Sequence, residues 1–460
     1  MFTGIDKLEY KLKKRSKSKL KERKLNLLEV PAVKKMLFWK AFPYSIQITI
    51  LLFLIGFIVM GWGVYTPAGQ DEELFAKSNI VCMVIWGIWW PIMIWTVVIW
   101  GRLWCMVCPL EMMSRIGGWI GQLLKIKKLA ISKPVKSGFI IVSLYALIQL
   151  LASGTGLHFV PAYTALFLVC LITYSMIIGL VFKNGSFCKG FCPIAMTLNA
   201  YSRGSMLAVR ASSEDKCAEC KSKSCIKPAE NKSIFNAGGG CPANIYPPQL
   251  KSNKDCLLCG RCLKSCKSGN MQLLLRRPFS KTDQRQKRAS WALTLFIMMD
   301  SGFVISEVCE EWDLTDKIFM AVPQSFLNFF NLQGYSGWIE GIWALLIFPL
   351  FLWTFTGVIL KSIGVVKSVI HPWRSFALRA VIISSSLHLI KSLIRFSEWS
   401  AFFPYALHDP RGIRNTSAFQ SGVLSYPQSA FNQFFILAVS IGILCFALYF
   451  FIREKHTENT

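Results

Sequence analysis

Long apolar runs separated by charged segments dominate the hydropathy pattern of this chain. Eight runs stand out, each near the ~20 residues that a helix needs to cross a bilayer. Two pairs come first, at about residues 45–65 and 80–100, then 138–157 and 162–182. Four more follow a polar, cysteine-rich stretch, at about 289–306, 341–360, 377–394 and 434–452. The fifth is the least apolar, because Asp300 interrupts it, and Pro349 predicts a kink in the sixth.

The charge between the runs alternates in sign. Residues 1–43, and above all 11–24, are basic, as are 102–136, the cysteine-rich stretch and 361–374. The intervening loops are acidic or nearly neutral, with Asp71, Glu72 and Glu73 in one and Glu307, Glu310, Glu311, Asp313 and Asp316 in another. By the positive-inside rule, both termini and every cysteine motif are expected on the cytoplasmic face. A net charge of +27 would suggest a nucleic-acid partner in a soluble protein. Here 53% of the 460 residues are hydrophobic and only 17% charged, and the basic residues flank apolar runs. Membrane orientation and lipid headgroups account for them, and no nucleic acid is expected.

The polar stretch carries the clearest chemistry. It reads C-x2-C-x4-C at Cys217, Cys220 and Cys225, then Cys241-Pro242, then C-x2-C-x2-C-x3-C at Cys256, Cys259, Cys262 and Cys266. Iron–sulfur clusters take four thiolates each, and paired clusters draw three from one run and the fourth from elsewhere. That logic assigns Cys217, Cys220, Cys225 and Cys266 to one [4Fe-4S] cluster and Cys256, Cys259, Cys262 and Cys241 to a second. The alternative is a pair of structural zinc knuckles. Lysines 216, 221, 223, 251 and 254 give the stretch a basic face suited to an acidic redox partner.

The first four runs form a tandem repeat. Each pair ends in a cysteine motif followed by proline: Cys105, Cys108 and Pro109 in GRLWCMVCPLEMM, and Cys188, Cys192 and Pro193 in GSFCKGFCPIAM. Proline suits the first turn of a new helix, which places the preceding cysteine at a helix N-terminus, where the dipole favours thiolate. Four such thiolates would converge to bind a metal or a third cluster, or cycle through disulfides. Iron–sulfur, zinc and copper(I) all suit such a set, and Met106, Met112, Met113 and Met196 nearby add soft ligands for copper.

Tandem membrane Cys-Pro motifs followed by a two-cluster ferredoxin stretch resemble the NapH, NosR and CcoG group of membrane-bound ferredoxin-type proteins. The matching part is about residues 45–276, and Gly101-Arg102-Leu103-Trp104-Cys105 is similar to the lead-in of CcoG-like members. The second motif has the C-x3-CP spacing of that group, and the first is one residue shorter. The resemblance implies a bacterial inner membrane and either quinol-coupled electron delivery to a reductase or copper handling in oxidase assembly. The last four runs lie outside it.

Two polar side chains inside those last runs need a partner or a task, since an ionised group near mid-bilayer costs about 3 kcal/mol on insertion scales. Asp300 lies about eleven residues into the fifth run and His388 a similar distance into the seventh, so the two share a depth. An acid and a histidine at one level suit proton acceptance from a quinol. A structural pair, Asp300 with His388 or with Lys391, is the alternative.

The sequence therefore predicts an α-helical polytopic membrane protein of about eight spans with an inserted α+β ferredoxin-like module. The expected divisions are a basic segment (1–43), a four-helix membrane core (44–213), the module (214–288) and a second membrane region (289–460). Its expected work is electron transfer between the quinone pool and a reductase subunit or soluble ferredoxin. A metal reductase or assembly factor, and a redox-sensing anchor or transporter, are the rival expectations.

Overall fold

The computed structural model describes residues 24–183, 185–226, 241–243, 245–253, 255–280, 283, 288–370 and 372–458, with side chains to residue 452. Most of the basic run at 11–24 lies outside them. The principal helices of the first half are α1 (Pro31–Phe38), α2 (Tyr44–Gly61), α3 (Ile80–Trp100), α4 (Pro109–Leu123), α5 (Phe139–Thr155), α6 (Pro161–Val181) and α7 (Ala195–Tyr201). Those of the second half are α8 (Trp291–Cys309), α9 (Asp313–Phe330), α10 (Gln333–Ser362), α11 (Trp373–Ser400) and α12 (Gln433–Ile452). Among the described residues seven helices (α2, α3, α6, α8, α10, α11 and α12) are long and apolar enough to cross a membrane. The protein is thus a multi-pass helical membrane protein.

The third apolar run differs from the others. It forms α5, which has 17 residues, the lower end of what can span. Gly138, just before it, packs on Met196 and Ala292, whereas Gly154 near its other end packs on Trp338 and the Ser153 hydroxyl donates to the Gly337 carbonyl. Its two ends therefore touch opposite poles of the bundle.

Proline shapes three helical segments in the same way. It cannot donate a hydrogen bond, and its ring crowds the carbonyl four residues back. In each case the preceding residue reaches one residue further: Trp90 N–H to the Ile85 carbonyl before Pro91, Phe348 to Trp343 before Pro349, and Cys192 to Phe187 before Pro193. At Pro349, where a kink is expected, the turn before the proline is such a π turn. Close helix crossings depend on missing side chains. A Cβ at Gly179 would collide with the Ser114 carbonyl and one at Gly117 with the Met176 carbonyl, so α4 lies directly against α6.

The cysteine-rich stretch folds around a small antiparallel sheet in the order β1 (Leu25–Asn26), β3 (Met271–Leu275), β2 (Leu207–Ala211). Leu207 pairs with Leu275 and Ala211 with Met271. The sheet thus takes two of its three strands from chain that precedes the segment 214–288. Leu37 of α1 and Phe42 join Met106, Val209, Cys256, Leu258 and Leu273 in one core, so residues 25–42 pack with this module rather than form a separate basic segment. The central membrane core gathers Met93, Val97, Tyr145, Met196, Tyr201, Phe296, Trp353 and Leu389 from α3, α5, α7, α8, α10 and α11, with Cys105 and Cys192 packed at its edge.

Candidate functional site

The two Cys-Pro motifs share one local feature, backbone donors just after the second cysteine, and reach it by different turns. Gly101 ends α3 at φ +84°, a conformation that only glycine adopts freely, and a Cβ there would strike the Ser205 hydroxyl. A turn carries Arg102 to Met106, and Pro109 then opens α4 with Cys108 as its N-cap, as expected. Leu110 and Glu111 donate their backbone N–H groups to the Cys108 sulfur. Ile194 and Ala195 do the same for Cys192. The donors stand two and three residues after the cysteine in both halves. Cys192 does differ in one respect: α7 begins at Ala195, not at Pro193.

These motifs bring Cys105, Cys108, Cys188 and Cys192 within electrostatic range of one another. Burial, reinforced by the neighbouring thiols, pushes Cys192 up to about 12 and raises Cys108 and Cys188 as well. Four such groups become thiolates together only when a cation offsets their charge. Arg102 is in the same place with only 5% of its surface exposed. Burial disfavours its charge, but Cys105, which it hydrogen-bonds, and Cys192 and Cys188 favour it more strongly. Its Nε has no hydrogen-bond partner among the described residues. A buried cation beside four sulfurs, with a donor to spare, fits an anionic thiolate-ligated centre.

In the module the cysteines form one neighbourhood, with Cys262 within electrostatic range of Cys225 as well as of Cys259, Cys256 and Cys241. Cys225 faces Cys266, Cys217 and Cys220. Cys256, Cys259, Cys262 and Cys241 line one cavity together with Pro242, Leu257, Leu258 and Arg261. Asp255, Leu258 and Gly260 all adopt positive φ, which wraps the loop around that cavity. Leu258 N–H donates to the Cys256 sulfur and Arg261 N–H to the Cys259 sulfur. Asn270 Nδ2 reaches the Cys217 sulfur at 3.0 Å. Burial pushes Cys259 up to about 12 and Cys256 and Cys262 upward as well. All sixteen cysteines are free. Among the described residues, no three His, Cys, Asp or Glu side chains converge as a single ion requires. Of the basic face, Lys254 lies outside the described residues.

The module and the membrane motifs meet at a second cavity, lined by Cys105, Met106, Glu111, Cys259 and Arg261 among others. Glu111, three residues after Cys108, pairs with Arg261, two after Cys259, at 2.5 Å and with Arg115 at 3.1 Å. Burial alone would raise the Glu111 carboxyl. The guanidinium groups of Arg261 and Arg115 and a hydrogen bond from Gln47 outweigh it and hold the carboxyl below its ordinary 4.5. The pair therefore stabilises the docked module above pH 4.5 and loses that contribution as pH falls through the lowered value. Glu111→Gln should cost about 3–5 kcal/mol at pH 7, the range for breaking a buried pair. In thermal unfolding the gap from wild type should narrow as pH falls below 4.5; a gap that stays constant through the whole acid range would refute this.

Deeper in the membrane, the structure brings Asp300 and His388 together through a residue the sequence did not single out. The Tyr201 hydroxyl, at the end of α7, lies 3.0 and 3.2 Å from the Asp300 carboxylate oxygens and 3.0 Å from His388 Nδ1. Tyr145 and Ser384 face the same carboxylate. Asp300 is 1% exposed and His388 7%. The only sequence signal for Tyr201 was a hydroxyl-bearing aromatic nine residues after Cys192. Lys391 does not pair with Asp300. It binds Glu311 at 2.8 Å, Glu310 at 3.7 Å and Glu307 at 3.9 Å, while Arg395 binds Glu307 at 3.4 Å. A run of rings links this triad to the first Cys-Pro motif. Centroid separations are 5.6 Å for Trp104–Trp89, 6.3 Å for Trp89–Trp90, 6.2 Å for Trp90–His388 and 5.7 Å for His388–Tyr201. The π turn before Pro91 sets Trp89 and Trp90 in this line.

Comparison of the chain with family models, with curated proteins and with solved structures found no match.

Proposed function

We propose that this protein is a membrane-bound electron-transfer protein that connects the quinone pool with a redox partner on the cytoplasmic side. The observation that carries the reading is the shared cavity at the junction, which has Cys105 of the membrane motif and Cys259 of the module in its wall. Two otherwise separate thiol groups are thereby neighbours, and the aromatic run continues from Trp104 to the Tyr201–Asp300–His388 triad.

Cys217, Cys220, Cys225 and Cys266 would hold one [4Fe-4S] cluster, and Cys241, Cys256, Cys259 and Cys262 the other. Cys105, Cys108, Cys188 and Cys192 would hold a third thiolate-ligated centre beside Arg102. Bound clusters supply one-electron chemistry, at potentials set by the hydrogen bonds and charges around the sulfurs. The chain's own contribution is the set of backbone N–H donors, the Arg102 charge and the Glu111–Arg261 lock. At the triad, Asp300 and His388 would accept the protons of a quinol while Tyr201 holds them at one level. With α5 counted as a span, eight crossings return the chain to its starting face, in keeping with the NapH, NosR and CcoG resemblance and an inner-membrane location with both termini cytoplasmic.

Low-temperature EPR on anaerobically purified protein, with iron and copper counted, tests this. Cluster signals that grow on adding a menaquinol analogue are expected, with iron above about eight atoms per chain if the Cys-Pro motifs hold a cluster. Intact clusters that ignore the quinol would overturn the quinol link, and co-purifying copper would then favour metal reduction.

A further inference from the structure

The polar residues of α8 and α11 form two levels on facing surfaces. Asp300 and Glu307 are seven residues apart on α8, and His388 and Arg395 seven apart on α11, so each pair lies on one face, two turns or about 10 Å apart. The inner level is Asp300 and His388, joined by Tyr201. The outer level is Glu307, held by Arg395 and Lys391, with Lys391 bound in turn to Glu311 and Glu310. Glu307 stands within electrostatic range of His388, His158, Lys391 and Arg395. Exposure rises along this series, from 1% for Asp300 to 18% for the Glu307 side chain and 44% for that of Glu310. The series ends at the pole of the bundle opposite the cysteines, because α8 starts beside the module and ends at Cys309.

We infer that α8 and α11 form a proton route from the Asp300–Tyr201–His388 triad through Glu307 to the acidic pole, so that quinol oxidised at the triad releases its protons on the face opposite the cysteines. This rests on the quinol reading above. A quinol gives up two electrons and two protons and becomes a quinone. The electrons leave toward the cysteine pole for a soluble one-electron acceptor. The protons pass to Asp300 and His388, then to Glu307, and reach water at Glu310. A proton covers the span of about 10 Å between the levels by way of bound water or side-chain movement. Electrons and protons leave at opposite faces, so turnover charges the membrane.

The protein, uniformly oriented in sealed vesicles with its module outward, tests this. A pH dye is trapped in the lumen, a menaquinol analogue is placed in the bilayer and ferricyanide is added outside. The lumen should acidify by about one proton per ferricyanide reduced. Glu307→Gln should slow both signals at least tenfold, Glu307→Asp should restore most of the rate, and Glu340→Gln, at a carboxylate outside the route, should change neither. Protons released outside, or a Glu307→Gln rate equal to wild type, would overturn the route. A second readout needs no turnover. The infrared carboxyl signal of Asp300, assigned by its loss in Asp300→Asn, should follow a pH step in the lumen within seconds, and at least tenfold more slowly in Glu307→Gln. A response to outside steps alone, or to neither, also overturns the route. A lumenal response without any quinol oxidation would instead refute the quinol reading and leave the route standing.

Discussion

Asp300→Asn should reduce quinol-dependent reduction of the protein at least 100-fold while its iron content and fold stay unchanged. The substitution is nearly isosteric. Its amide oxygen still accepts from the Tyr201 hydroxyl, which lies 3.0 Å from one carboxylate oxygen, so the buried network stays satisfied. An amide cannot take up a proton at neutral pH, and positioned proton acceptors contribute roughly 10²- to 10⁴-fold to such steps. Tyr201→Phe tests the bridge separately: it removes the hydroxyl between Asp300 and His388 and leaves both acceptors, so a smaller loss is expected. Stopped-flow bleaching of the visible absorbance after mixing with a menaquinol analogue measures both. Wild-type rates in Asp300→Asn would mean that the triad merely closes the bundle.

Cys262→Ser should remove about four iron atoms per chain and leave the other clusters in place. Cys262 lines the cavity shared with Cys241, Cys256 and Cys259, and a serine hydroxyl is a far weaker ligand than thiolate at neutral pH. The module should also lose stability, because Cys256 and Leu258 on the same loop belong to the core that α1 and the sheet complete. Cys445→Ser, at an exposed position outside both cysteine groups, is the control and should leave the iron count as it was. Metal analysis together with EPR decides the outcome. A loss of one zinc, with no iron in either protein, would establish zinc knuckles instead. Unchanged iron in Cys262→Ser would show that the cavity holds no cluster.

Both predictions start from features that are readable in one dimension. Hydropathy located the apolar runs, because the length of an apolar stretch is a direct statement about bilayer thickness. Seven of the eight became helices of spanning length. Ligand spacing divided the module cysteines into two sets of four, since each three-cysteine run needs a fourth thiol from elsewhere in the chain. Counting residues from the starts of the apolar runs put Asp300 and His388 at one depth, because a helix rises a fixed 1.5 Å per residue.

Depth along a helix is not direction around it, and the remaining features depend on direction and on which helices are neighbours. The repeat itself gave the cysteine-proline steps, but only folding placed Arg102 among the four thiols. Glu111 and Arg261 are 150 positions apart, and no local pattern links them. Lys391 was a plausible partner for Asp300 by depth, yet the packing of α8 against α11 turns it toward Glu307, Glu310 and Glu311. Tyr201 reaches the triad because α7 enters the central core beside Tyr145 and Phe296. Leu25 and Asn26 join the sheet because β3 presents a free edge to them. Local length and spacing suffice for a membrane-embedded helical protein and for the shared depth of its buried acid and histidine. The Tyr201 bridge, the Glu111–Arg261 junction and the two levels of α8 and α11 arise from packing. Each of these depends on the rotation of one packed element against another, which periodicity leaves open.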